Sequence, residues 1–182
     1  MRRSLGIDEP EALRLEVTRM RRRHLRGVMA IERRVYPRPW SPNLFLSEMQ
    51  ELSNRVYLVG RVDREVVGYG GLICYGDEAH VTTIAVDPDL HRHKVGTRLM
   101  HDLIQAAIGL GAEAVSLEVR VSNWGAQRLY GLFGFRPVGV RKNYYQEIGE
   151  DALIMWADEI RTDSYARQLE RIMASIPEGI RA

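Results

Sequence analysis

Cysteine is nearly absent from this sequence, which holds one, Cys74, in 182 residues. A lone thiol forms no intramolecular disulfide, and neither C-x2-C nor H-E-x-x-H spacing occurs, so no structural or catalytic metal centre is expected. Long apolar runs are missing too. No stretch approaches the ~20 residues of a membrane-spanning helix, and no apolar segment follows Arg2 and Arg3 to make a secretion signal. The expectation is a metal-free cytoplasmic protein with no membrane partner. Excess charge of one sign is also lacking, since 26 basic against 24 acidic residues leave a net charge of +2. The positive charge gathers locally at Arg19, Arg21, Arg22, Arg23 and Arg26, with Arg33, Arg34 and Arg38 behind. Such a cluster can neutralise phosphates. Leu25, Val28, Met29 and Ile31, however, form the apolar stripe of an amphipathic helix whose solvated face those arginines would cover. We take the second reading, so direct nucleic-acid binding is not expected.

There is no internal repeat and no low-complexity segment. At 45% hydrophobic, a chain of this length can close one core and bury roughly 70% of its unfolded surface. Residues 13–18 alternate as a half-exposed strand does, and 22–35 read as a helix. Pro37, Pro39 and Pro42 force a loop, after which Ser41 as N-cap and Pro42 in the first turn open a second helix to about residue 50. Residues 55–61 and 65–75 form a hairpin, and Gly68, Gly70 and Gly71 in its second strand suggest a bulge or a close backbone approach. Residues 79–86 are a strand. Val95, Leu99, Leu103, Ile104, Ala107 and Ile108 then recur at three and four, marking a helix over 95–110. Strand 114–121, helix 124–133 stopped by Gly134, and strands 135–140 and 152–156 follow. Tyr165, Leu169, Ile172, Met173 and Ile176 share one helical face, so 163–176 should be an amphipathic helix docked on the domain or on a second subunit. The order β-α-α-β-β-β-α-β-α-β-β defines an α/β domain with a mixed sheet. It spans residues 1–160, with 1–12 an N-terminal extension and 161–182 a C-terminal helical one.

The segment from Thr83 to Leu99 carries the chemistry. It reads as a strand, an Asp87-Pro88 turn and a basic loop that feeds a helix, whose N-terminus offers unpaired N–H groups and a positive dipole end to an anion such as a diphosphate. An ordinary strand-to-helix connection would look much the same.

In context, this run resembles the coenzyme A pyrophosphate loop of the GNAT superfamily. The resemblance continues in order through Leu117-Glu118-Val119-Arg120-Val121-Ser122-Asn123, Leu129-Tyr130-Gly131-Leu132-Phe133-Gly134-Phe135 and Arg141-Lys142-Asn143-Tyr144-Tyr145. Together with Pro39-Trp40-Ser41, these segments are most similar to the ribosomal-protein-alanine N-acetyltransferases, the RimI-like branch. The resemblance implies the GNAT fold, a mixed central β-sheet with flanking helices, and acetyl-CoA as co-substrate with no metal. Diphosphate contacts fall on Arg92, His93, Lys94, Val95, Gly96 and Thr97, with Asn123 also touching the cofactor. Backbone N–H groups along Ile84, Ala85 and Val86 would polarise the thioester carbonyl. Two positions depart from the family pattern: His91 stands for its Gln or Arg, and Lys94 for its first loop glycine. Weaker diphosphate binding than a glycine would allow is the expected result.

By the same resemblance Glu118 is the general base, acting through water, and Tyr130 hydrogen-bonds the departing thiolate. Taken alone, a strand glutamate usually forms a salt bridge and an aromatic on an apolar helix usually packs. Trp40 and Tyr144 would flank the acceptor groove. The expected partner is a protein N-terminus with alanine first, that of a ribosomal protein being the candidate. Lysine ε-amines, small-molecule amines and a non-catalytic coenzyme-binding role remain as alternatives.

Overall fold

A computed structural model describes residues 13–50 and 53–181. The elements follow the expected order: β1 (Glu16–Arg19), α1 (Leu25–Val35), α2 (Pro42–Gln50), β2 (Arg55–Val62), β3 (Glu65–Tyr75), β4 (Glu78–Val86), α3 (Val95–Gly109), β5 (Ala114–Arg120), α4 (Trp124–Leu132), β6 (Arg136–Tyr145), β7 (Glu150–Ala157), α5 (Asp163–Ala174) and α6 (Glu178–Arg181). The extension over 1–12 lies outside the described residues. Helix α1 begins later than its periodicity suggests, because Arg22–His24 wind as a 3-10 turn first. Ser41 caps α2 as expected, its hydroxyl accepting the Leu44 N–H at 3.1 Å. The β2–β3 hairpin turns on Asp63 (φ 48°) and Arg64 (φ 74°), the two positive values that a two-residue I′ turn requires. Strand β6 runs five residues beyond the expected end, and α6 was not expected at all.

The seven strands lie in the order β1-β2-β3-β4-β5-β7-β6. Every neighbouring pair is antiparallel except β4–β5. Alternation divides the strands between two cores. Val56 and Leu58 of β2 pack with Leu99, Leu103 and Ile104 of α3. Tyr57 and Val59 pack on the other face with Val28 and Ile31 of α1 and Phe45 of α2. A register shift between Gly71 and Leu72 sets an extra β4 residue against β3. An extra residue reverses the phase of a strand. Ala79 and Val81 thus face the α3 core before the shift, while Ala85 faces the α1 core after it. The glycines of β3 serve close approach: a Cβ on Gly71 would lie 2.2 Å from Cε1 of Tyr57.

The parallel pairing of β4 and β5 is short. It runs from Glu78↔Ala114 to Val81↔Leu117 and stops, although β4 continues to Val86 and β5 to Arg120. Past Val81 the two strands diverge, and peptide groups at the centre of the sheet are left facing a split.

The C-terminal helix docks on its own domain. Tyr165, Leu169, Ile176 and Ile180 belong to the same core as α3. The Tyr165 hydroxyl donates to the Phe133 carbonyl (2.8 Å) and Gln168 Nε2 to the Leu132 carbonyl (2.7 Å), capping the end of α4. Arg98 of α3 donates to the Ile180 and Arg181 carbonyls, and the Leu15 N–H to the Gly179 carbonyl. Among the described residues, no helix is long and apolar enough to cross a membrane.

Candidate active site

Strand alternation decides which peptide groups face the split. The Asp87 N–H donates to Val67 of β3 at 2.8 Å, so residues of the opposite phase, Ile84 and Val86, turn theirs toward β5. Side-chain bonds agree: the Ile84 carbonyl accepts the Tyr36 hydroxyl at 3.0 Å, and the Val86 carbonyl lies 3.3 Å from His91 Nε2. Ala85 turns its peptide to β3. Of the three donors expected from the sequence, alternation leaves Ile84 and Val86.

Leu117 and Val119 face the α3 core, so Glu118 between them projects to the side of α1 and α2, just past the point where the strands part. Its carboxylate is only 10% exposed and is held at both oxygens. Oε2 lies 3.0 Å from His80 Nε2 on β4, and Oε1 lies 3.3 Å from Arg141 Nε on β6. The hydrogen bond from His80 outweighs the upward push of burial, and with Arg141's charge added it keeps the carboxyl below the usual range. Each carboxylate oxygen has two lone pairs, so two bonds leave acceptor sites for a water. The ion pair that strand glutamates usually form is thus present with Arg141, and His80 adds a hydrogen bond.

Phenols line the rest of the split. Tyr130 of α4 is 6% exposed, and burial, followed by the proximity of Tyr36 and Tyr145, pushes its hydroxyl far above the ordinary value. It therefore keeps its proton and is available as a hydrogen-bond donor. Tyr145 interacts electrostatically with Tyr36, Tyr144 and Glu118, which makes the carboxylate and phenols one cluster, and its own hydroxyl is pushed up to about 12, chiefly by burial. Tyr144 is 45% exposed, stands edge-on to Tyr145 at 5.2 Å, and lies under the Arg141 guanidinium at 5.6 Å. Trp40 is half-buried, tilted against Phe45 at 5.2 Å, while its backbone N–H donates to Glu32 Oε2 at 2.9 Å. Glu32 is almost completely buried, also accepts the Tyr69 hydroxyl, and is pushed up by desolvation. His80, Arg141, Tyr36 and Glu32 were not singled out in the sequence.

The loop before α3 forms the anion cradle. Arg92 (φ 67°) and Lys94 (φ 65°) both adopt the left-handed conformation. Lys94 is the N-cap of α3, and no side chain caps it. The first intrahelical donor is the Arg98 N–H, bonded to the Lys94 carbonyl at 3.0 Å, so the N–H groups of Val95, Gly96 and Thr97 before it have no intrahelical acceptor. The side chains of Val95 and Thr97 are buried, which leaves those two residues only their backbone to offer. Gly96 brings α3 against α4 and β4: a Cβ there would lie 3.3 Å from Leu129 and 3.5 Å from Val86. Asn123 caps α4, its Oδ1 accepting the Ala126 N–H at 3.1 Å. A diphosphate fits this donor set, as the unpaired amides and dipole end favour an anion.

The sequence profile of the acetyltransferase (GNAT) family matches residues 25–135. The chain belongs to the GNAT acetyltransferase family. Among GNAT relatives, a putative [ribosomal protein bS18]-alanine N-acetyltransferase of Bacillus subtilis is 40% identical over 77% of this chain and 93% of its own length. The [ribosomal protein bS18]-alanine N-acetyltransferase of Escherichia coli is 35% identical over 69% of this chain and 84% of its own. A crystal structure of the ribosomal-protein-S18-alanine N-acetyltransferase from Escherichia coli superposes with a TM-score of 0.72 at 31% identity, covering 80% of this chain and 94% of that one. The fold is shared by a putative acetyltransferase from Salmonella typhimurium solved with its cofactor acetyl-CoA (TM-score 0.68, 16% identity, 79% of this chain and 93% of that one). The mixed sheet with flanking helices expected from the sequence is thus the GNAT fold, and the enzyme class is that of an acyltransferase.

Proposed function

We propose that this GNAT enzyme transfers the acetyl group of acetyl-coenzyme A to the N-terminal α-amine of a cytoplasmic protein that begins with alanine, a ribosomal protein being the first candidate. The observation that carries the reading is the Glu118 carboxylate, held beside the split between β4 and β5, in a chain whose relatives are alanine N-acetyltransferases.

The thioester supplies an activated acyl carbon and a thiolate leaving group. The N–H groups of Val95, Gly96 and Thr97 hold the diphosphate at the α3 dipole. Those of Ile84 and Val86 stabilise negative charge that develops on the acyl oxygen. Glu118 accepts the proton of the attacking amine through a water. Tyr130, protonated by its surroundings, donates to the departing sulfur, a charge-assisted bond worth about 1.5–3 kcal/mol. Tyr144 and Trp40 wall the acceptor groove.

The electrostatics of Glu118 bear on the acceptor. A carboxylate held below its usual range is a weak base and needs an amine that sheds its proton readily. An N-terminal amine titrates near ~8 and a lysine near ~10.4, a gap of about 3 kcal/mol in deprotonation work. Comparing kcat/KM for an Ala-starting peptide, the same peptide N-terminally blocked with an internal lysine free, and a polyamine tests the reading. The first should win by at least tenfold. Faster turnover of either of the others would move the acceptor to ε-amines or small amines. Coenzyme binding without thiol release would leave a non-catalytic module.

A further inference from the structure

His80 stands outside every motif that marked the site, yet it makes the shortest contact to the Glu118 carboxylate. Its Nε2 lies 3.0 Å from Oε2, and its Nδ1 lies 2.9 Å from the Ser116 hydroxyl. The backbone sets this geometry. His80 and Ser116 are direct partners in the parallel β4–β5 register, and Glu118 follows two residues later on the same face of β5. A carboxylate only accepts, so the hydrogen between His80 and Glu118 sits on Nε2, and in the neutral ring Nδ1 then accepts the Ser116 O–H. The carboxylate thereby selects the tautomer, Ser116 fixes the plane of the ring, and the ring fixes the carboxylate. Arg141 alone would hold Glu118 less well, being 55% exposed, carried on an edge strand and joined by one contact at 3.3 Å.

We propose that His80 is the positioning residue of this acetyltransferase. Anchored by Ser116, it holds the Glu118 carboxylate at the mouth of the strand split in the one orientation that meets the water of the incoming amine. The inference rests on the reading of Glu118 as the base. His80 touches neither substrate; it acts through the carboxylate, and misplacing a catalytic group by about 1 Å can cost on the order of 10²-fold in rate.

The test uses the full chain and an Ala-starting peptide. His80→Ala should lower kcat by roughly 10–100-fold with both KM values within about twofold. His80→Gln, whose amide nitrogen can take the place of Nε2, should recover to within about threefold of the unsubstituted enzyme. The imidazole is 31% exposed, so free imidazole should reach the gap in His80→Ala and restore kcat saturably, which it should not do for Glu118→Gln. In the Glu118→Gln background, His80→Ala should cost no further kcat, because positioning has nothing left to act on. An unchanged kcat in His80→Ala, equal impairment of the Ala and Gln variants, or a full loss repeated in the Glu118→Gln background would each overturn the proposal. Full kcat in Glu118→Gln would remove the base reading itself, whereas a normal His80→Ala beside an impaired Glu118→Gln removes only the role of His80.

Discussion

Replacing Lys94 with glycine should raise the melting temperature slightly and leave coenzyme affinity nearly unchanged. Lys94 sits at φ 65°, ψ 8°, at the N-cap of α3. A side chain in the left-handed region costs roughly 1–2 kcal/mol, which glycine does not incur. Glycine in turn gives up roughly 0.5–1 kcal/mol more backbone entropy on folding. The difference favours the variant by about 0.5–1 kcal/mol, or about 1–4 °C for a domain of this size. Binding depends on something else. The amides of Val95, Gly96 and Thr97 are already oriented with lysine in place, so glycine adds no donor and the weaker binding expected from the sequence does not follow; glycine removes an exposed ammonium whose pull on a phosphate is weakened by solvent and salt. Calorimetric titration of both proteins with coenzyme A at 0.15 M and 0.5 M salt would measure the balance, with dissociation constants expected within about threefold of each other. If the glycine variant binds tenfold worse at both salts, Lys94 is a true phosphate ligand and the cradle is not built from backbone alone.

The fold places Glu118 below its unfolded pKa, so the pairing stabilises the protein above the ordinary carboxylate range and is lost as pH falls through the depressed value. The melting-temperature gap between the natural enzyme and Glu118→Gln should therefore narrow as the pH falls below about 4.5; a gap that widens there would refute the pairing. In the same variant the rising limb of rate near pH 8 should keep its position, because the amine and not Glu118 titrates there. Tyr130→Phe should lower kcat with little change in the KM of acetyl-coenzyme A, and a defect confined to KM would reduce Tyr130 to a packing residue. Gly71→Ala should lower the melting temperature by about 3–10 °C, since the Tyr57 ring it would strike is pinned by hydrogen bonds to Glu48 (2.9 Å) and Thr82 (3.0 Å); a neutral result would mean that the ring can move.

Elements whose periodicity reflects burial were the legible ones. Of the α3 stripe, Val95, Leu99, Leu103, Ile104 and Ala107 are buried, and Ile108 is half-buried against the same core. Strand β6 was cut short because nearly all of it is exposed at the sheet edge, so no alternation marks residues 141–145. At four residues, α6 is too short to show a period. Glu118 and Tyr130 were found through the order of motifs, not through any local signal. The partners that define Glu118's electrostatics were invisible for a topological reason: His80 and Glu118 meet only because two parallel strands far apart in sequence align at one register, which local pattern does not encode. Tyr36 and Glu32 hid in the same way, as unremarkable members of an amphipathic helix and the loop after it.

The bonds made by α5 and α6 bear on the order in which this fold is secured. Leu15, among the first residues described, takes its partner from Gly179, and α4 is capped by Tyr165 and Gln168. Chains emerge from synthesis N-terminus first, so β1 and both helices beside the split are made well before the segment that secures them. Until residues 163–181 have emerged, the α3 core lacks Leu169, Ile176 and Ile180, and Arg98 lacks the Ile180 and Arg181 carbonyls it binds. Helices α3 and α4, which flank the split, are thus made early and secured late, by the core contacts and hydrogen bonds that residues 163–181 supply.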